Sequence, residues 1–472
     1  MNAPVLAIFF VAALYLTIRR GAGAAFMYVM LPAELLFSQI PAISIEPLPD
    51  FETLSTCSYA ILLGLACRLR LPPLKLHPID FGVILTTISM MFTGYSTGVL
   101  WTSVAQFGEQ TLNWLVPYLA ARLAFSDMKL RRHGAYIVAV VAMIIAFFAL
   151  VEFRLNPYCY SRFLEPLTLS GAANKGVLGR SGFFRAMSSF AHPIDLGNCG
   201  LLISGLVGVL SFTSGLKWKH PLVLGGLLSG PAMIMASISF SSMFGATVAI
   251  AIFLLLRLLR GSGILLPAVV VLIAIGLTFM TYRLMSVDTS IRITFTGQSS
   301  ISDSYWVRAL IAQNAMPYVQ TAGFFGYGAN VTKTDLNLES VDNSYILFIM
   351  RRGWVYLAIF FCLCMTMAFT GYRLLRRRDE LPVRIPVAIG LAVLFGTLIA
   401  MYTVWFGFVY SVLWTWMLGF MTTMAQLVSG RVRQTGMLPV APPRPGGFPV
   451  VLPQRRPVMP GSSTVASMEG RV

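Results

Sequence analysis

GWVYLAIFFCLCMTMAFTGYRLLRRR, from Gly353 to Arg378, decides the fold class. The stretch from Gly353 to Tyr372 carries no charged side chain. At helical rise it is about long enough to cross the roughly 30 Å hydrocarbon core of a bilayer. Arg373, Arg376, Arg377 and Arg378 then close it, as basic residues close a span at its cytoplasmic end. The rest of the chain repeats this pattern. Of 472 residues, 57% are hydrophobic and 11% charged, and the mean hydropathy is +0.75. Soluble domains carry about a quarter charged residues, so this chain lacks the polar surface to cover itself. The composition predicts an all-α polytopic membrane protein.

Working outward, about thirteen apolar stretches approach the length of a span: 4–18, 22–40, 54–67, 81–101, 112–125, 135–153, 196–212, 221–238, 244–259, 264–282, 353–372, 385–405 and 410–428. The first is followed rather than preceded by Arg19 and Arg20, so it reads as a retained helix and not a cleaved signal. Basic clusters follow the first, third, fifth, seventh, ninth and eleventh stretches. That alternation explains the net charge of +17 without nucleic acid and sets those clusters in the cytoplasm. The loops 41–53, 154–195 and 283–345 then face outward, the last two being large external loops, the second of them carrying a short helix. Residues 1–428 read as the membrane domain. Residues 429–472, rich in arginine and proline, read as a disordered basic cytoplasmic tail close to anionic lipid. Of six cysteines only Cys159 falls in an external loop, so no disulfide framework is implied.

Three of the four histidines (His77, His133, His220) fall in cytoplasmic loops and only His192 is external, so neither a metal site nor a cofactor is expected. No phosphate-cradling glycine loop or nucleophile elbow sits in a strand-to-helix context. The outer side does hold arginine: Arg154, Arg162, Arg180, Arg185, Arg283, Arg292 and Arg308. Positive charge there runs against the topology signal, and a guanidinium is suited to phosphate oxygens. The plain alternative is a solvated arginine, or one paired with Asp288 or Asp303.

Arg185 opens RAMSSFAHPIDLG, which runs into the 196–212 helix. His192 there is open to two readings, a base or a polar helix-start residue ahead of Pro193. Arg308 lies in YWVRALIAQNAMPYV, where Tyr305, Ala309, Ala312 and Met316 share a helical stripe with Asn314 opposite. The pattern predicts a short amphipathic helix at the membrane surface. GFFGYG (Gly323 to Gly328) follows as a tight turn, and DNSYILFIMRRG (Asp342 to Gly353) leads into the span. Asp342 falls near the membrane boundary, where a carboxylate is either used or paired, here with Arg351 or Arg352.

The ordered series resembles the O-antigen ligase and O-antigen polymerase superfamily of bacterial inner-membrane glycosyltransferases. It consists of R-x-x-x-S-F-x-H-P-x-x-L-G at Arg185 to Gly197, an arginine on an external helix (Arg308), a glycine turn, Asp342-Asn343-Ser344-Tyr345-Ile346, and Gly353 at the head of a span. The resemblance covers residues 180–372. It implies a fold of the C-type glycosyltransferase class and transfer of a glycan from undecaprenyl diphosphate, on the outer face of the inner membrane, to a glycan acceptor or to lipid A–core.

By resemblance, Arg185 and Arg308 hold the diphosphate, and Asp342 stands where ligases carry a histidine that activates the acceptor hydroxyl. Arg180, Arg292, His192, Asn343 and Tyr345 are expected to line the substrate site. Two departures stand out. Ser239-Phe240-Ser241-Ser242-Met243 lacks the family's arginine, and Asp342 replaces histidine. The second favours repeat-unit polymerisation of exopolysaccharide or O-antigen, with a chain-length regulator as a further partner. The alternatives are an O-antigen ligase, a lipid-linked oligosaccharide flippase and a non-catalytic assembly protein.

Overall fold

The computed structural model describes residues 2–38, 42–43, 49–68, 75–95, 100–155, 159–168, 179–180, 183–190, 192–258, 271, 286, 301–328, 343–376, 381–403 and 409–428. The chain divides into two units, Met1–Arg433 and Gln434–Val472, and the second lies outside the described residues. Among the described residues, six helices are long and apolar enough to cross a membrane, and four shorter apolar helices accompany them. The protein is an all-α polytopic membrane protein. The span expected at 264–282 lies outside the described residues apart from Val271.

The first half comprises α1 (Asn2–Arg20), α2 (Ala22–Phe37), α3 (Thr53–Arg68), α4 (Pro78–Tyr95), α5 (100–126) and α6 (Met128–Arg154). A π-helical turn widens α2 at Phe26–Met30 and α5 at Thr111–Leu115. The sequence places Lys129, Arg131 and Arg132 in a loop. They form the first turn of α6 instead, because the Asp127 side chain accepts the backbone N–H groups of Lys129 (2.7 Å) and Leu130 (3.4 Å) and so starts the helix ahead of them.

The interval between α6 and α8 holds α7 (Cys159–Thr168) and a two-stranded hairpin, β1 (Gly179–Arg180) against β2 (Phe183–Phe184). The rest is α8 (Pro193–Thr213), α9 (Pro221–Ser237), α10 (Phe240–Leu258), α11 (Ile301–Thr321), α12 (Ser344–Arg376), α13 (Leu381–Thr403) and α14 (Val409–Val428).

The packing inverts the soluble pattern. In α6 the buried stripe includes Ala135, Ala139, Ala142, Ala146 and Ala149, while Phe147 and Leu150 are exposed. Small residues let backbones approach, and the bulky apolar ones are left for lipid. Gly245 of α10 and Gly396 of α13 come so close that a Cβ on either would meet the other's carbonyl oxygen, at 2.8 and 2.5 Å respectively. Larger buried side chains fill the centre, where Phe125 of α5 packs on Trp416 and Phe420 of α14 with ring centroids 6.4 and 5.5 Å apart.

The described members of the basic clusters gather at one end of the bundle. There Arg68 donates to the Thr17 carbonyl (3.3 Å), the rings of Tyr136 and His220 touch, and Arg384 donates twice to the Leu375 carbonyl. At this end Asp80 is buried against Arg122 (2.6 Å), and it also accepts from the Tyr118 hydroxyl and the His77 N–H. Arg122 and Gln426 both donate to the Lys75 carbonyl, which ties α4, α5 and α14 together. Tyr118→Phe removes one donor from this carboxylate and its contact with Thr422 (3.1 Å). A hydrogen bond to a charged group contributes about 1.5–3 kcal/mol, so we expect a loss of about 2 kcal/mol, read as a lower unfolding midpoint in detergent.

Candidate functional site

The candidate residues that are described lie at the opposite end of the bundle. The β hairpin leans on α6 through Phe183, stacked on Phe153 with centroids 4.8 Å apart, and the Arg154 guanidinium lies over the Phe183 ring at 5.7 Å. Arg180 pairs with Phe183 through the backbone of this hairpin. The chain then passes Arg185, which is partly buried and whose Nε donates to the Ser237 carbonyl at the end of α9 (3.2 Å). Next to it the Ala186 N–H donates to the Ala236 carbonyl (3.0 Å).

The next residues are held by Glu152, a carboxylate only 1% exposed. One of its oxygens accepts the Met187 and Ser188 N–H groups (2.9 and 2.6 Å), and the other accepts the Tyr160 N–H from α7 (3.0 Å). Ser188 sits in the left-handed region with φ +48°, and its hydroxyl donates to the Ile145 carbonyl (3.1 Å). Ser38, at the end of α2, donates to the Ser189 carbonyl (2.6 Å). The strap that carries Arg185 is thus fixed to α2, α6, α7 and α9.

His192 ends the strap as the N-cap of α8. Its Nδ1 accepts the Ile194 N–H (3.2 Å) and Pro193 takes the first helical position. Of its two sequence readings, the helix-start role is the one the geometry displays. Behind the strap, the SFSSM stretch forms a buried polar knot. Ser239 and Ser241 share a hydrogen bond (2.9 Å), and Ser242 donates to Asn198 of α8 (2.9 Å).

The second half of the site is built on α11 and α12. Of the predicted stripe on α11, Ala309 and Ala312 are buried, Met316 is partly buried and the Tyr305 side chain lies outside the described residues; Ala315 and Val319 are buried as well, and Asn314 is exposed. Arg308 lies on this helix. The helix runs 21 residues, past Pro317 to Thr321, and is longer than the short surface helix expected. GFFGYG then turns with positive φ at Gly323, Gly326 and Gly328.

This turn docks into a break in α12. Gly353 has φ +78° and ψ 176°, so α12 is two arms, 344–352 and 354–376. In one straight helix, residues 345 and 361 would stand about 24 Å apart. Their rings instead stack with centroids 5.4 Å apart, and Phe348 touches both Tyr356 and Phe360. The first arm therefore folds back along the second, with Gly353 at the apex. The turn clamps that apex through Tyr327 N–H to the Met350 carbonyl (2.7 Å), Gly328 N–H to Arg351 (3.1 Å) and Val355 N–H to Phe324 (3.2 Å).

Asn343 caps the first arm, its side-chain oxygen accepting the N–H groups of Tyr345 (2.9 Å) and Ile346 (3.2 Å). Tyr345 is buried, and its hydroxyl donates to the Leu398 carbonyl of α13 (2.6 Å). Both residues thus have a role in fixing the arm. Through α10 and α13, joined at Gly245 and Gly396, the arm and the Arg185 strap share one end of the bundle. Asp342 and Arg292 lie outside the described residues, as do the side chains of Arg180 and Arg308.

Sequence reasoning missed Glu152 and Glu109. Glu152 was legible as a lone carboxylate in AFFALVEF, where an acid is costly unless it is used. Glu109 of α5 feels the charges of Arg351 and Arg352. Burial pushes its carboxyl up, Arg352 pulls it down, Asp50 pushes it up again and Arg351 adds the smallest downward pull. Glu52 is raised by burial and then by Glu109 and Asp50. Among the described residues, no three His, Cys, Asp or Glu side chains gather as a metal site requires.

The fold and the placement of these residues define a polytopic helical membrane protein with a polar, arginine-bearing end opposite its basic clusters. No protein-family model matches the chain, and no curated protein matches it by sequence.

Proposed function

We propose that the protein is a membrane glycosyltransferase of the O-antigen ligase and polymerase type. It moves a glycan from undecaprenyl diphosphate to the next repeat unit on the outer face of the bacterial inner membrane. The observation that carries this reading is the Arg185 strap. A guanidinium on a segment immobilised by the Glu152 carboxylate, by Ser38 and by the end of α9 is pre-organised for an anion. It lies at the same end of the bundle as the Asn343-capped arm.

In the proposed reaction, the acceptor sugar hydroxyl attacks the anomeric carbon as its bond to the diphosphate oxygen breaks. Asp342 takes the hydroxyl proton. Arg185 and Arg308 balance the charge that grows on the departing undecaprenyl diphosphate. The Asp342-Asn343 pair, in place of His-Asn, is why polymerisation is preferred to ligation.

Removing one donor from a developing oxyanion costs about 10²–10³-fold in rate. Arg185→Ala and Arg308→Ala should each slow repeat-unit polymerisation by about that factor, in protein that elutes and unfolds like wild type. Wild-type rates in both variants would remove the assignment. Gel analysis of surface glycans after gene deletion separates the two chemistries. Loss of long polymer while single repeat units persist on their acceptor marks a polymerase. Polymer stranded on undecaprenyl diphosphate marks a ligase.

A further inference from the structure

Arg351 and Arg352 end the first arm of α12, just before the Gly353 apex, and both are partly buried. The ordinary duties of arginines in such a place are already taken. The carbonyls of Met350 and Arg351, which a basic residue at a helix C-terminus could cap, accept from Tyr327 and Gly328 instead. Among the described residues neither arginine forms an ion pair, and the Arg351 Nε is buried with no hydrogen-bond partner.

Arg352 is held flat. Its guanidinium lies 4.6 Å from the Tyr356 ring centroid and 5.6 Å from that of Phe348, and it spends one N–H on the Tyr356 hydroxyl. A guanidinium has five N–H donors, so most of this pair's capacity is unspent. Stacking on aromatic faces leaves the planar fork pre-organised for tetrahedral oxyanions.

Glu109 is within electrostatic reach of both arginines yet bonded to neither. It balances part of their charge without filling their donors. Around the apex, Trp354 and Phe324 are 47% and 74% exposed, and Phe325 stacks on Phe92 with centroids 5.7 Å apart. Exposed aromatic residues of this kind sit at headgroup level, where lipid phosphates lie.

We propose that Arg351 and Arg352 form a phosphate-binding fork at the α12 apex, taking a phosphate or diphosphate headgroup, with Glu109 as a nearby negative charge that opposes the anion. The site uses neither Arg185 nor Arg308 and does not depend on the transfer reaction.

Full-length protein carrying Arg185→Ala and Arg308→Ala, which removes the diphosphate contacts of the transfer reaction, is titrated in detergent with inorganic pyrophosphate. This wild-type fork should bind saturably, and adding the Arg351→Gln/Arg352→Gln double variant should weaken binding at least about tenfold. Glu109→Gln should bind several-fold more tightly, a gain that a folding defect cannot produce. A double variant that binds like the wild-type fork, or a Glu109→Gln protein with no gain, overturns the proposal.

Repeating the titration in nanodiscs of phosphatidylcholine, with and without phosphatidylglycerol, identifies the source of the ligand. Weaker pyrophosphate binding beside phosphatidylglycerol supports a fork that holds membrane phosphodiesters. Equal binding supports one selective for diphosphate. Because pyrophosphate binding needs no glycan transfer, failure here leaves the glycosyltransferase reading untouched, and the reverse also holds.

Discussion

Gly353→Ala should destabilise the protein by about 4–5 kcal/mol and sharply reduce the yield of folded material. The residue has φ +78° with extended ψ, a backbone region essentially reserved for glycine. Strain of this kind costs about 1–3 kcal/mol by itself. A Cβ at this position would also run into the carbonyl of Phe324 and lie 2.5 Å from the Gly326 nitrogen. The turn would have to retreat, losing the bonds from Tyr327 to Met350 and from Gly328 to Arg351, at about 1 kcal/mol each.

Gly323 is the control. It too has positive φ (+66°), but nothing lies within 4 Å of its Cβ position. Gly323→Ala should cost about 1–2 kcal/mol, the conformational penalty alone. Thermal unfolding in detergent compares the two. Equal midpoints for both variants would mean that the interlock at the apex adds nothing.

Glu152→Ala should cost about 5 kcal/mol. Its carboxylate accepts three backbone N–H groups from two separate segments, and hydrogen bonds to a charged acceptor contribute about 1.5–3 kcal/mol each. Once the carboxylate is gone, Tyr160, Met187 and Ser188 keep buried donors with nothing to receive them, and Ser188 loses what holds it at φ +48°. Glu152→Gln should fall about midway, since one oxygen still accepts while the amide nitrogen faces other donors.

A local measurement strengthens the test. Amide exchange over residues 183–190 should rise in Glu152→Ala while the basic end of the bundle keeps its protection. Protection unchanged in the strap, with a loss below about 1 kcal/mol, would show that the strap is held by its other contacts. If the strap presents Arg185 to substrate, polymerisation should fall in this variant although Arg185 is intact.

The two residues with these large effects were legible to different degrees. Gly353 stood out because it heads an uncharged stretch that ends in arginines, and GFFGYG announced a turn through its glycine spacing. That the two lock together was not legible, since it depends on backbone atoms some thirty residues apart in sequence. The apolar reading from Gly353 also concealed the arm before it, because 344–352 is apolar enough to pass for the start of the same helix. Glu152 is in sequence a single acid near the end of a span, and its three backbone donors come from segments that only the fold brings to it.

By resemblance His192, Asn343 and Tyr345 are expected to line the substrate site. In the fold, the His192 and Asn343 side chains cap helices and the Tyr345 hydroxyl anchors an arm. In sequence Asp342 is either used or paired with Arg351 or Arg352, and it lies outside the described residues. In the fold the charge of Glu109, far off in sequence, acts with those of the two arginines.

Sequence alone determined that this chain is a polytopic helical membrane protein and where the basic clusters fall. Those properties are sums over local composition, and a stretch of apolar residues must satisfy its own backbone as a helix wherever lipid surrounds it. It also placed the helix starts at Pro193 and Pro221 and the glycine turn, each set by the dihedral preferences of one or two residues. Only the tertiary structure decided which polar groups meet. The Glu152 clasp, the fold-back of α12 at Gly353 and the unspent donors of Arg351 and Arg352 all depend on segments far apart in sequence. Their geometry follows from how closely small residues such as Gly245 and Gly396 let the helices approach.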